Sequence, residues 1–225
     1  MIDKRVSTTT DALAGITDGA TVMLSGFQGS GVANSLIGAL IETGARNLTL
    51  ISNGTGHPDS MQGELIASRA VDKVICSSAR GRGAAPTPFE ELWVAGKVEL
   101  ELVPQGTLTE RIRAGGAGIP AFYTPVGANT ALADGKERRT MGGRDCILET
   151  ALTADFTLLR ADRGDRWGNL VYVGTQANFG PVMAMAGRIT VAEVNRFAPD
   201  GALAAATVRT PGIFVDRIIE RPDKR

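Results

Sequence analysis

Residues 97–125 read KVELELVPQGTLTERIRAGGAGIPAFYTP. Val98, Leu100 and Leu102 alternate with Glu99 and Glu101, the period of a strand with one face buried. Pro104 has no N–H to donate and stops the ladder. Gln105 and Gly106 follow as a tight turn. Thr107, with Glu110 three residues on, gives T-x-x-E, the capping-box signature of a helix start. Ile112 lies on that helix, and Gly115-Gly116 ends it. A strand that runs almost directly into a helix is one step of an α/β sheet. Ligands of such sheets bind outside the carboxyl ends of the strands, and the Gln105 amide stands at such an end.

Working outward, strand and helix continue to alternate. Asp11–Ile16 reads as a short helix before the Asp18-Gly19 turn, and Thr21–Leu24 as an apolar strand. The loop SGFQGSGVA (25–33) follows. A helix capped by Asn34 or Ser35 then presents Leu36, Ile37, Leu40 and Ile41 on one face and stops at Gly44. Leu48–Ile51 is the next strand and runs into the turn Ser52-Asn53-Gly54-Thr55-Gly56. This series is a βαβ unit, which implies parallel strands and a right-handed crossover. Ser60–Ala67 reads as a helix, Lys73–Ser77 as a strand, Ser78–Pro88 as a loop, and Phe89–Ala95 as a helix with Gly96 as its C-cap.

Beyond the opening stretch, Leu132–Cys146 reads as a polar hairpin or edge excursion. Phe156–Arg160, Leu170–Val173, Thr190–Val194 and Ile213–Ile218 read as strands, and Pro181–Gly187 as a helix with proline at its first position. The tail ERPDKR reads as solvated. The expected fold class is α/β, a mainly parallel open sheet with helices on both faces. No repeat or linker divides the chain, so one domain spanning 1–225 is expected.

Lysine and arginine total 24 and aspartate and glutamate 24, a balance that argues against nucleic acid or an anionic membrane as partner. No apolar run is long enough to span a bilayer, and MIDKRVSTTT lacks the apolar core of a signal peptide, so a cytoplasmic location is expected. Cys76 and Cys146 match no metal-ligand spacing, and no metal site is expected. Cys76 follows Val74 and Ile75 and reads as a buried thiol.

Several segments have the composition of a site. Ser25, Gly26, Phe27, Gln28, Gly29, Ser30 and Gly31 form a glycine loop between strand and helix, either a tight connection or a cradle for an anion. Asn53-Gly54 readily takes positive φ and serves either a turn or the wall of a pocket. His57 is the sole histidine and reads as a surface loop residue, because no Ser/His/Asp arrangement is visible around it. Arg80 and Arg82 sit in the Gly/Pro loop, free to meet a carboxylate or phosphate or to stay solvated. GDRWGN (164–169) reads as a turn in which Trp167 packs. Gln105 is either a turn-capping residue or an amide donor to a developing oxyanion.

VELELVPQGTLTERIRAGGAGIPAFYTP (98–125), DRWGNLVY (165–172), NFGPVMAMA (178–186) and TPGIFVDRI (210–218) together resemble the alpha, or A-type, subunit of the class I acid CoA-transferases. These are the 3-oxoacid (succinyl-CoA:acetoacetate) and 3-oxoadipate enzymes. The resemblance implies the CoA-transferase fold, related to sugar-phosphate isomerases. It implies coenzyme A or acyl-CoA as substrate, with no permanently bound cofactor. It also implies a partner, the B-type CoA-transferase subunit, in a heterodimer or heterotetramer.

The family's G-G-F-G-x-x-G-x-P-E loop, assigned to CoA binding, falls on residues 25–34. Ser25 and Gln28 replace glycines there, and Val32-Ala33-Asn34 stands where I-P-E is usual. Residues 52–56 resemble the family's S-N-N-A-G turn, which brings Asn53 and Gly54 to the acyl pocket. Gln105 stands at the oxyanion-stabilising glutamine. The nucleophilic glutamate belongs to the B-type partner in this resemblance; Glu64, Glu90, Glu91 and Glu110 match no nucleophile motif and read as surface carboxylates. The chain reaches TPGIFVDRI, where the A-type chain of the family ends. Related chains carry an Arg-Lys pair and a further Arg where Val173, Gly174 and Ala177 stand, so the acyl acceptor is left open.

The expected function is CoA transfer from succinyl-CoA or another acyl-CoA to a 3-oxo acid such as acetoacetate or 3-oxoadipate, through a glutamyl-CoA thioester on the partner. The alternative is a catalytically inactive relative that binds acyl-CoA or a sugar phosphate. An isomerase of the same fold would need an acid/base pair that the sequence does not display.

Overall fold

The computed structural model describes residues 2–81 and 85–222. Arg82 and the last three residues of the ERPDKR tail lie outside them. In chain order the elements are α1 (Thr9–Ala12), β1 (Thr21–Leu24), α2 (Asn34–Glu42), β2 (Leu48–Gly54), α3 (Met61–Ala67), β3 (Val71–Ser78), α4 (Pro88–Val94), β4 (Glu99–Leu102) and α5 (Gln105–Gly116). Then come β5 (Ala121–Thr124), β6 (Arg138–Met141), β7 (Arg144–Thr150), β8 (Ala154–Gly164), β9 (Leu170–Val171), α6 (Gly180–Ala186), β10 (Gly187–Phe197) and β11 (Arg217–Glu220).

The main sheet runs β11-β10-β8-β1-β2-β3-β4, every one of these pairs parallel, with β9 antiparallel to β8. Strands buried on both faces read as near-continuous apolar runs, and adjacent residues here go to opposite sides. Val22, Leu24, Leu50, Val74, Cys76 and Leu158 meet α2, α3 and α4 through Leu36, Ile37, Leu65, Ile66 and Phe89. Met23, Ile51, Ile75, Leu159 and Ala161 meet α5 and α6 through Leu108, Ile112 and Met183. The result is a mainly parallel open sheet with helices on both faces. Among the described residues, no helix is long and apolar enough to cross a membrane.

The chain builds one side of the sheet outward from β1 through β2, β3 and β4, and the other through β8, β10 and β11. The order therefore reverses between β1 and β8. The carboxyl ends at such a reversal border a natural crevice.

Several boundaries differ from the sequence reading. The helix after β4 begins at Gln105, because Pro104 already serves as its N-cap and its carbonyl accepts from the Leu108 N–H at 2.8 Å. Thr107 thus falls inside the first turn, 4% exposed, and its hydroxyl makes no hydrogen bond, so the expected capping box does not form. A capping box does close at Thr87 and Glu90, ahead of α4. Gly115 and Gly116 are the last helical residues, as read, but their reason is close approach: a Cβ would run into the Leu152 carbonyl or into Met185.

The segment 121–150 pairs as an antiparallel three-stranded sheet, β5-β7-β6. The last expected strand starts only at Arg217, since Gly212–Phe214 turns as a short 3-10 helix after Pro211. β4 is an edge strand in which the expected alternation fails: Leu102 is 47% exposed and Glu101 is half-buried.

Glu101 turns inward to meet Arg111, 5% exposed on α5. Arg111 Nη1 donates to Glu101 Oε1 at 2.6 Å and Nε to the Thr150 carbonyl at 2.7 Å. Arg111 Nε also lies 3.7 Å from the buried Glu149 carboxylate, which accepts from Lys136 Nζ at 2.6 Å. Lys73 pairs with Glu101 at 3.2 Å and with Glu99 at 2.9 Å. Burial works to raise the Glu101 pKa, but the Arg111 hydrogen bond and charge, joined by Lys73, outweigh it and hold it below the usual carboxylate range. One side chain thus ties α5 to β4 and to the smaller sheet.

Removing one partner of a buried pair leaves the other charge uncompensated, which costs about 3–5 kcal/mol. Arg111→Ala is expected to lower the unfolding free energy measured in urea by that much at pH 7. Because Glu101 has a depressed folded-state pKa, its pairing energy is complete above the unfolded carboxyl pKa of about 4.3 and fades as pH falls through the folded value. The gap between wild type and variant should therefore narrow below about pH 4. Equal stabilities at pH 7 would contradict the clamp.

Candidate active site at the carboxyl end of the sheet

In register, Leu24 lies opposite Ser52, Ser52 opposite Cys76, and Cys76 opposite Leu102. The residues just beyond these positions therefore form a row: Ser25, Asn53, Ser77 and, past Pro104, Gln105. Gln105 Nε2 donates to Asn53 Oδ1 at 2.7 Å. Ser77 Oγ donates toward the Asn53 backbone carbonyl at 2.9 Å and lies 3.0 Å from Oδ1. With Oδ1 engaged as acceptor, the Asn53 amide nitrogen and the second N–H of Gln105 have no acceptor among the described residues. Two side-chain amides thus offer N–H donors side by side at a surface open to solvent.

β2 runs on through Gly54, and neither Asn53 nor Gly54 takes positive φ, so the turn expected at Ser52–Gly56 is instead the end of a strand, kept straight by its pairing with β3 and braced by α3. Gln62 Nε2 donates to Ser52 Oγ at 2.9 Å and to the Gly54 carbonyl at 2.5 Å. Gly54 itself packs on β3, where a Cβ would stand 3.2 Å from the Ser78 carbonyl. Of the pair expected at the pocket, Asn53 is the residue with chemistry to offer.

The glycine loop is preformed. Ser25 Oγ donates to the Gly31 carbonyl at 2.7 Å, and Phe27 and Ser30 exchange backbone hydrogen bonds at 2.9 and 3.0 Å. Gly26 and Gly29 take positive φ, as does Gln28 at 50°. The far side of the loop leans on residues 174–178. The Gly26 N–H donates to Asn178 Oδ1 at 3.1 Å, Asn178 Nδ2 donates to the Ser30 carbonyl at 2.9 Å, and Ser30 Oγ lies 2.9 Å from Thr175 Oγ1. Gly31, at φ 74°, passes so close that a Cβ would stand 2.5 Å from the Gln176 carbonyl oxygen. Its glycine is required by the fold, whereas Gln28 and Gly29 remain exposed.

The N-terminus of α2 is not available to a phosphate, contrary to the cradle reading. Its N-cap is Ala33 rather than Asn34 or Ser35, and no side chain of the loop caps it. Glu193, on β10 and 0% exposed, occupies it: its Oε2 accepts from the Ser35 N–H at 2.9 Å and the Leu36 N–H at 3.1 Å. Burial raises the Glu193 pKa, against the pull of the Leu36 N–H, Arg221 and Arg160. A ligand at residues 25–31 meets the turn itself.

The remaining candidates are dispersed. His57 is exposed; its Nδ1 accepts from the Asp59 N–H at 3.2 Å and lies 3.4 Å from the exposed Asp59 carboxylate. Arg80 is exposed. Trp167 sits in a turn organised by Asp165, which accepts from the Trp167 N–H and Asn169 N–H, both at 3.0 Å, while Arg166 stacks on the indole at 4.7 Å. Burial pushes the Cys76 thiol up to about 11, which keeps it protonated and inert. Among the described residues no cluster could hold a metal ion. Glu64 and Glu91 are exposed, Glu90 closes its cap, and Glu110 pairs with Arg113 at 2.8 Å. The two buried glutamates, Glu149 and Glu193, are both committed to internal partners.

Sequence reading missed Ser77, Asn178, Arg111 and Glu193. A buried Glu inside the apolar run of β10 was the available signal for Glu193, since such a carboxylate demands a partner. Nothing in local spacing points to the other three.

The description "Coenzyme A transferase" covers the family that residues 6–221 match, and the chain belongs to that family. It is 48% identical over 219 residues to the A-type subunit of 3-oxoadipate CoA-transferase from Pseudomonas putida, a match covering 97% of this chain and 94% of that one. It is 47% identical over 225 residues to the A-type subunit of succinyl-CoA:3-ketoacid coenzyme A transferase from Xanthomonas campestris pv. campestris (strain B100), covering 99% and 91%. In structure it is similar to glutaconate coenzyme A-transferase from Acidaminococcus fermentans, with a TM-score of 0.85 at 17% identity over 97% of this chain and 76% of that one. The last likeness concerns the fold.

The Asn178 side chain holds the glycine loop against residues 174–178, so its removal should loosen that loop selectively. Asn178→Ala is expected to lower global stability by only about 1 kcal/mol. Hydrogen exchange at the Gly26 amide should accelerate at least tenfold, with core strands unchanged. Unaltered Gly26 protection would contradict the bracing role.

Proposed function

We propose that this chain is the A-type subunit of a heteromeric CoA-transferase, one domain over 1–225, working in the cytoplasm. It helps move CoA from succinyl-CoA, or another acyl-CoA, to a 3-oxo acid such as 3-oxoadipate or acetoacetate. Gln105 supplies the oxyanion donor, Asn53 lines the acyl pocket beside it, and residues 25–31 contact the acyl-CoA. The nucleophilic glutamate comes from the B-type partner. The observation that carries this reading is the Gln105–Asn53 amide pair at the carboxyl end of the sheet.

The chemistry asks for what the pair offers. A carboxylate attacks the thioester carbonyl, and charge develops on its oxygen; collapse expels CoA thiolate and leaves an acyl anhydride. The thiolate then attacks the glutamyl carbonyl of the anhydride, releases the first acid and forms the glutamyl-CoA thioester. The acceptor acid runs the same steps in reverse. Each tetrahedral intermediate needs donors aimed at its oxygen, and fixed amides cost no reorganisation at that moment. Asn53 holds Gln105 by one amide hydrogen and leaves the other free, and Arg111 fixes the helix beneath.

Both buried glutamates are held by internal partners, and no described glutamate bonds to Gln105 or Asn53, which supports a nucleophile from outside. It also weighs against an isomerase, which would need an unengaged acid/base pair here. An inactive binding relative has less support, since an amide pair without a reaction would have no oxyanion to meet.

Removing one oxyanion donor typically costs about 10²–10³ in kcat. Gln105→Ala, assayed with its partner chain on succinyl-CoA and both acceptors, should lose that much while KM for acyl-CoA changes little. Near-normal turnover would refute the assignment.

A further inference from the structure

Gly106 follows Gln105 in the first turn of α5. Glycine within a helix lowers stability relative to alanine, so its presence calls for a reason. The described glycines supply two kinds of reason: a positive φ, or an atom within 4 Å of where a Cβ would stand. Gly106 alone among them has neither. Its backbone is helical, its surroundings are open, and it is exposed. Nothing in the described chain needs this residue to lack a side chain.

We propose that the space left open at Gly106 is clearance for the thioester end of the bound acyl-CoA, which lies against the first turn of α5 beside the Gln105 amide. This rests on the CoA-transferase reading of the site. Two features favour the thioester over other occupants. The gap adjoins the donor that must face the thioester oxygen, at the carboxyl ends of β2 and β4. The first-turn N–H groups of Gln105, Gly106 and Thr107 also have no side-chain cap, because the N-cap is Pro104. An occupant that brings oxygen suits that wall better than one that brings only methylenes. A methyl group at 106 would hold the carbonyl off Gln105, and a displacement of about 1 Å is enough to lose ~10²-fold in rate.

The test is Gly106→Ala in the full complex. Helix propensity predicts an unchanged or higher Tm, by about 2–4 °C at most for a chain of this size. Size-exclusion chromatography should show normal assembly with the partner chain. The value of kcat/KM for acyl-CoA should fall about 10²-fold. A more stable, fully assembled and nearly inactive complex is the expected outcome. Normal kcat/KM would overturn the proposal. So would loss of assembly, which would assign the gap to the partner's surface. Gln105→Ala measured alongside separates the two assignments. Full turnover in Gln105→Ala removes the oxyanion role and the clearance argued from it together, whereas loss in Gln105→Ala with normal kcat/KM in Gly106→Ala removes the clearance alone.

Discussion

The guanidinium of Arg111 lies buried beneath α5, with Nη1 2.6 Å from Glu101 on β4 and Nε 2.7 Å from the Thr150 carbonyl on β7. Two sheets and one helix meet on that group. A charge so placed tolerates little displacement, because its desolvation is offset only while its partners stay in position. The start of α5, and therefore Gln105, inherits the rigidity. Asn53 then holds the Gln105 amide by its own hydrogen bond, so that the start of the helix is tied both through Arg111 and through Gln105.

A second internal charge shapes the other half of the site. The free N–H groups of a helix start attract anions, and a glycine loop leading into one invites the reading of a phosphate site. Here Glu193 already fills the α2 terminus from β10. That electrostatic feature serves instead to hold the topology at the reversal between β1 and β8. What remains for a ligand is the surface of the turn at 25–31, shaped by Asn178 and Thr175 from across the crevice.

What was legible in the sequence was local. Apolar strands, glycine-rich turns and helices with one apolar stripe follow from periods of two and 3.6, and they sufficed for the parallel sheet and for placing Gln105 at a strand end. The start of α5 was misplaced because T-x-x-E is a good capping box wherever it occurs, whereas the fixed φ of Pro104 had already begun the helix. The alternation of β4 misled at Leu102 because the half-buried side belongs to Glu101 and its ion pair. The contacts that position the site, Glu193 to α2 and Arg111 to Thr150, join residues distant in sequence. No spacing rule reaches them, and only the folded chain brings them together.

The central claim is a division of labour in which this chain supplies amide donors and its partner supplies the carboxylate. It is tested most directly by locating the covalent intermediate. The chain alone, and the chain with its partner, would be incubated with succinyl-CoA, treated with borohydride to reduce any glutamyl thioester, digested and analysed by mass spectrometry. Reduction of a glutamate in the partner, seen only in the mixture, is the predicted result. A reduced glutamate within these 225 residues, formed without a partner and accompanied by turnover, would contradict it.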